Sequence, residues 1–181
     1  MLTAKDIKKS SEDYEKIVSM QKASFAAKEQ LPMWLLRLLA KNDAVHYLVF
    51  YADGETDPVG ICCFSENTES VYWMYLAVAE NFRGQGYSSG IMEYVRSHAA
   101  GRPVVFCVES LSGCSGGELA VRQRRIELFR SFGFCETGYF RKALGETYLV
   151  MSDREDLPPE QYRRAVSSMY FGLYRPRVCR S

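Results

Sequence analysis

Apolar and polar positions alternate along this chain in two rhythms. In SEDYEKIVSMQKASFAA, Tyr14, Ile17 and Val18 fall at helical spacing, with Ser10 or Ser11 as candidate caps. MWLLRLLAK is a second, strongly apolar helical stretch. From His46 the texture changes. HYLVFYA, PVGICCF and VYWMYLAV are rich in β-branched and aromatic residues and are separated by the turn-forming DGETD and ENTE, which predicts an antiparallel meander. SSGIMEYVRSHAA returns to helical spacing through Ile91, Met92, Val95 and Ala99, and RPVVFCVE reads as a buried strand after it. A β-α-β crossover follows, with NFRGQGYSSG at the strand-to-helix junction. ELAVRQRRIELFRSFGF predicts a helix running to Gly133, with Phe134 folding back on the glycine cap. CETGYFRKA, LGE and TYLVMS predict a hairpin, LPPEQYRRAVSSMYFGLY a proline-initiated helix and RPRVCRS a frayed end. The expected division is a main domain over residues 1–152 and a helical extension over 153–181.

Composition narrows the function classes. A chain of 181 residues, 47% hydrophobic and 25% charged, suits one folded domain and excludes a disordered or fibrous protein. Lys and Arg number 23 against 22 Asp and Glu, so no global field draws in nucleic acid or an acidic membrane. No apolar run approaches the roughly 20 residues of a membrane helix. Neither partner is expected. The six cysteines show no metal-ligand spacing, and Cys62 and Cys63, adjacent on a strand, must point to opposite faces. No metal site is expected. The start MLTAKDIKKSSEDYEK has no apolar signal segment, which points to a reducing cytoplasm.

The glycine-bearing junction carries the chemistry. Gly84 and Gly86 allow a tight turn and close approach of backbone N–H groups, and a helix start favours negative charge, so the expected guest is a phosphate. A nucleotide-hydrolase loop would need Lys and Ser/Thr after its last glycine, where this chain has Tyr87. A dinucleotide fingerprint would need a third glycine where Ser89 stands.

YLAVAENFRGQGYSSGIMEYV together with RRIELFRSFGF resembles the GNAT superfamily of acetyl-CoA-dependent N-acetyltransferases. Their Arg/Gln-x-x-Gly-x-Gly/Ala signature is matched by Arg83, Gly86 and, with serine as the small last residue, Ser88; their later L-Y-x-x-x-G-F helix end is matched by Leu128, Phe129, Gly133 and Phe134. The similarity in element order spans residues 1–152. It implies an α/β (α+β) fold: a mixed, mostly antiparallel twisted sheet flanked by helices, here with the C-terminal helical extension. It also implies acetyl-CoA as cofactor and a primary amine, on a small molecule or a peptide, as acceptor; a homodimer is compatible with it. By resemblance, Arg83, Gly84, Gln85, Gly86, Tyr87, Ser88 and Ser89 hold the pyrophosphate. The main chain of Leu76, Ala77 and Val78 pairs with the pantetheine arm, and the N–H near Leu76 serves as oxyanion donor.

The resemblance implies direct attack of the amine on the thioester, without an acyl-enzyme. Where many relatives carry a thiolate-protonating tyrosine, this chain has Phe129, expected to wall the pantetheine tunnel; a water or another hydroxyl could serve instead. Where relatives frequently carry a glutamate before the L-A-V strand end, this chain has Tyr72-Trp73-Met74-Tyr75. The expected base is Glu109, at the end of VVFCVE, with Tyr75 as its rival. His46 and His98 are expected to be exposed or capping, Cys107 and Cys135 to be buried small residues, and Arg122, Arg124 and Arg125 to lie on a solvated helix face or meet the cofactor's phosphates. The replaced catalytic types leave a second reading open: a weakly catalytic acyl-CoA sensor on the same fold. Residues 157–181 of the extension, with five arginines against one glutamate, are either an interaction arm or a helix packed across the domain.

Overall fold

The computed structural model describes residues 1–6 and 14–180, so the candidate caps Ser10 and Ser11 lie outside the described residues. The described residues form eight strands and five α-helices. The strands are β1 (Leu2–Asp6), β2 (Val45–Ala52), β3 (Gly60–Glu66), β4 (Val71–Val78), β5 (Val104–Glu109), β6 (Cys135–Ala143), β7 (Glu146–Ser152) and β8 (Val178–Arg180). The helices are α1 (Tyr14–Ser24), α2 (Met33–Leu39), α3 (Tyr87–Ala99), α4 (Gly116–Ser131) and α5 (Pro159–Met169). One sheet holds all the strands in the order β1-β2-β3-β4-β5-β7-β6-β8. Every neighbouring pair is antiparallel except β4 and β5, which run parallel because α3 connects them.

Both faces of the central strands are covered, and the period-two alternation of side chains decides which residue faces which helix. Tyr47, Val49, Ile61 and Cys63 pack with Ile17 and Met20 of α1, Leu36 of α2, and Tyr162, Val166 and Met169 of α5. Leu48, Phe50, Cys62 and Phe64 pack on the other face with Ile91, Met92 and Val95 of α3 and Ile126 of α4. The adjacent Cys62 and Cys63 are therefore in different cores.

The end of α4 explains why Phe134 lies where it does. Gly133 takes φ 79, its N–H reaches Arg130 O at 2.9 Å, and the Phe134 N–H reaches Phe129 O at 3.1 Å. This paired closure satisfies the last carbonyls of α4 and turns Phe134 inward, where it is buried.

Two elements depart from the sequence expectation. The charged start contains β1, paired with β2 from Leu2 opposite Ala52 to Asp6 opposite Leu48. The expected frayed end contains β8, paired with β6 from Val178 opposite Arg141 to Arg180 opposite Tyr139. Both are edge strands, which need only one apolar side and tolerate charge on the other. No described helix is long and apolar enough to cross a membrane.

Candidate active site

The parallel pair at the centre of the sheet separates partway along. β4 and β5 are matched only from Val71 opposite Val104 to Trp73 opposite Phe106. Beyond that point β5 stays paired with β7, Cys107 opposite Val150 through Glu109 opposite Tyr148, while β4 stays with β3. A bulge helps to part them. The β3–β4 register passes from Cys63 opposite Tyr75 to Phe64 opposite Trp73, so Met74 is the extra residue. The Trp73 indole N–H closes the bulge on Tyr75 O at 3.0 Å. The resulting V exposes one edge of the Leu76–Val78 backbone to a ligand.

At one end of the V lies a cleft of about 330 Å³, lined by Leu76, Ala77, Val78, Arg83, Gly84, Gly86, Tyr87 and Ser88. Gly84 and Gly86 have φ 77 and 84, a region that favours glycine, and a Cβ on either would meet nothing within 4 Å. Gly86 begins α3 without a side-chain cap, which leaves the first-turn N–H groups of the helix open to an anion. An open glycine cradle, an uncapped helix start and an unpaired strand edge fit the pyrophosphate and pantetheine of coenzyme A. Arg83 donates from Nε to Val78 O at 3.4 Å and borders the cleft. The Gln85 side chain instead donates to Asn81 O at 3.1 Å, and Gln85 and Ser89 stand outside the cleft lining.

At the other end is a cavity of about 490 Å³, which shares Ser24 and Leu76 with the first. Tyr75, Glu109 and Phe129 all border it. Phe129 belongs to an aromatic group, with ring centroids 4.6 Å from Phe106 and 6.0 Å from Trp73. Glu109 is ion-paired to Arg125 Nη1 at 2.9 Å and Arg122 Nη2 at 3.4 Å. The Tyr75 hydroxyl donates to Glu29 O at 2.6 Å and accepts from the Leu31 N–H at 3.1 Å, and burial pushes its pKa upward.

The Acetyltransferase (GNAT) family profile matches residues 14–134. The chain belongs to the GNAT acetyltransferase family and is an acyltransferase. Solved GNAT structures share its fold. A GNAT-family protein from Bacteroides thetaiotaomicron is 20% identical with a TM-score of 0.73, the match covering 95% of this chain and 99% of that one. The ribosomal-protein-S18-alanine N-acetyltransferase of Escherichia coli is 14% identical with a TM-score of 0.63, covering 87% of this chain and 99% of that one. Arabidopsis thaliana Naa50, in complex with the bisubstrate analogue CoA-Ac-MVNAL, is 14% identical with a TM-score of 0.61, covering 84% and 98%. No curated protein matches the chain in sequence.

Within this GNAT domain, several side chains stand apart from expectation. Arg122, read from sequence as solvent-facing or phosphate-binding, is buried. It donates to Ser110 O at 2.7 Å and pairs with Glu118 at 2.6 Å and Glu146 at 3.5 Å as well as with Glu109. Glu29, on the short helical turn Ala27–Glu29, borders the cavity and carries a raised pKa, from burial first and the nearby Glu109 charge second. Its segment has no recognisable motif, so only proximity in the fold reveals it. Burial likewise raises the Cys107 thiol, which lies 3.1 Å from Tyr162 Oη, and the Cys135 thiol; neither is prepared as a nucleophile.

The chain's two histidines, expected to be separately exposed or capping, meet away from this site. His46 Nε2 and His98 Nε2 lie 2.9 and 3.0 Å from the same Glu66 oxygen, both beside the Phe64 ring, and the three ligand atoms fall within 4.8 Å of one another. Arg102 holds the other Glu66 oxygen at 2.5 Å and donates to Ala99, Asn67 and His98 carbonyls. A guanidinium already balances the carboxylate, so this corner is a clasp joining β2, β3 and α3.

Proposed function

We propose that this chain transfers the acetyl group of acetyl-CoA directly to a primary amine, of a small molecule or peptide, held in the cavity where β4 and β5 part. The observation that carries the reading is the meeting of two unlike chambers at Leu76: a glycine cradle suited to phosphate and a cavity bordered by carboxylates. Acetyl-CoA, when bound, supplies an activated acetyl thioester. The first-turn N–H groups of α3 and the loop from Arg83 through Ser89 hold its pyrophosphate, and the free edge of Leu76–Val78 aligns the pantetheine. The N–H near Leu76 faces the reacting carbonyl as oxyanion donor. Phe129, with no ionisable group, walls the tunnel.

Glu29 takes the proton from the acceptor's ammonium in this reading. Its raised pKa matches a base for near-neutral chemistry better than an ordinary surface carboxylate does. Glu109, held by two arginines at the same cavity, adds a second carboxylate that attracts the ammonium. The Tyr75 hydroxyl is committed to the Glu29 backbone and positions that segment. An acyl-CoA sensor would need no proton acceptor at the end of the cofactor cleft, so Glu29 favours turnover.

The experiment is release of free coenzyme A thiol from acetyl-CoA across an amine panel, with product mass confirming the N-acetyl group. Amine-dependent release that is lost in Glu29→Gln, with coenzyme affinity kept, is expected. Tight coenzyme binding without turnover on any amine would establish the sensor reading.

A further inference from the structure

The acceptor cavity also contains a cation that meets no anion among the described residues. Arg141 extends from β6 into the cavity that holds Glu29, Glu109 and Phe129, and it is half-buried. Its guanidinium meets only uncharged groups among the described residues: Nη1 donates to Tyr72 Oη at 3.4 Å, Nη2 to Tyr174 Oη at 3.4 Å with the Tyr174 ring 5.7 Å away, and the Cys107 thiol is a further partner; its Nε is buried without a hydrogen-bond partner. Arg122 and Arg125, which lie on α4 near the same cavity, both pair with Glu109. A half-buried guanidinium is costly unless a carboxylate or phosphate compensates it, and long contacts to hydroxyls do so poorly.

A second orphan donor sits beside the first. Tyr148 borders the same cavity, and its buried hydroxyl has no hydrogen-bond partner. Arg141 and Tyr148 are directly opposite in the β6–β7 ladder, so their side chains stand on the same face of the sheet. Burial, followed by the charges of Glu29 and Glu109, raises the Tyr148 pKa to about 12, which keeps the hydroxyl protonated. A fork of guanidinium N–H groups with a hydroxyl next to it matches the two oxygens of a carboxylate.

We infer that the acceptor is an amine that also carries a carboxylate, with the carboxylate seated on Arg141 and Tyr148 and the amine directed toward Glu29 and Glu109. This rests on the acetyl-transfer reading above and adds a substrate class to it. The cavity then has a charge pattern opposite to that of an amino acid in zwitterionic form. The same chemistry could come from a free amino acid or from an acidic side chain near the start of a peptide.

The test compares matched acceptors that differ only at the anion: free α- and ω-amino acids against their carboxamides, and peptides with Asp or Glu at the second position against Asn or Gln. Charge-assisted hydrogen bonds of this kind correspond to about ten-fold or more in kcat/KM, read chiefly as a lower KM for the acid. Arg141→Gln removes the preference and Arg141→Lys restores part of it. In case these variants fold poorly, calorimetry on wild type compares an N-acetyl amino acid with its carboxamide, a binding readout that needs no turnover. Tighter binding of the acid supports the subsite even if no tested amine is acetylated, a result that would count against the transfer reading alone. Equal binding or equal turnover of acid and carboxamide by wild type overturns the inference.

Discussion

Two glycine-to-alanine substitutions with nearly the same contact distance should change stability in opposite directions. A Cβ at Gly60 would stand 2.6 Å from Ile91 Cδ1 and 2.8 Å from Ala77 O; a Cβ at Gly90 would stand 2.7 Å from Leu2 Cδ1. The distances alone predict equal harm. The neighbours decide otherwise. Leu2 Cδ1 is the end of a side chain on an edge strand and can rotate away, while Ala77 O is backbone within the β3–β4 ladder, where Gly60 is opposite Val78. Ile91 Cδ1 is also a side-chain end, but the Ala77 carbonyl is not, so relieving Gly60→Ala requires β3 or β4 to move. Overpacking of this kind costs about 2 kcal/mol, which for a chain of this length lowers Tm by roughly 4–8 °C. Gly90→Ala lies inside α3 and gains up to about 1 kcal/mol of helix propensity, so its Tm should equal or exceed wild type. Reversible thermal unfolding followed by far-UV circular dichroism measures both. Gly60→Ala should also weaken coenzyme A binding in calorimetry, because the displaced carbonyl belongs to the proposed pantetheine-pairing strand. A Gly60→Ala protein that melts with wild type would refute the tight approach of Gly60 to the Ala77 carbonyl in the β3–β4 ladder.

Further outcomes follow from the two chambers and from the clasp. Gly86→Val places a β-branched residue at φ 84 at the phosphate end, and coenzyme affinity should fall by at least ten-fold with the fold retained by circular dichroism; unchanged affinity removes the loop from the site. If Glu29 is the base, its raised pKa puts the acidic limb of kcat above the ordinary carboxylate range, and activity falls as pH drops through it. Glu29→Gln should lower kcat by about 10²–10⁴ and abolish that limb, whereas an unchanged profile would return the role to Glu109. Glu66 has its pKa lowered to about 2 despite the opposing effect of burial, through Arg102, His98 and His46. A depressed carboxylate stabilises the fold above its unfolded value near 4.5 and loses that contribution as pH falls toward 2, so acid unfolding of wild type should steepen across that window and Glu66→Gln should flatten it.

The glycine turn before α3, the proposed phosphate end, was legible in sequence because its geometry is a backbone property. Positive φ at Gly84 and Gly86 is required by the turn itself, and residue type records it directly. The central strands were legible for a related reason: both faces are buried, so β2, β3 and β4 are apolar almost throughout. β1 and β8 were not, since an edge strand such as Leu2–Asp6 alternates exposed and half-buried positions and carries charge. Side chains whose role depends on a distant partner were equally hidden. Charge spacing on α4 does not tell that Arg122, among several arginines, turns inward to acids at positions 109, 118 and 146. The acceptor end depends wholly on such distant partners. Glu29 gains its raised pKa from burial first and then from a neighbour eighty positions away in the chain, and Arg141 gains its interest from what does not face it. In the proposed reading, cofactor recognition uses main-chain geometry, which the fold itself supplies, and acceptor recognition uses side-chain charge, which can change without disturbing the sheet. A chemical probe of the Arg141 and Glu29 pair therefore informs on the acceptor of this chain in a way that a further fold comparison would not.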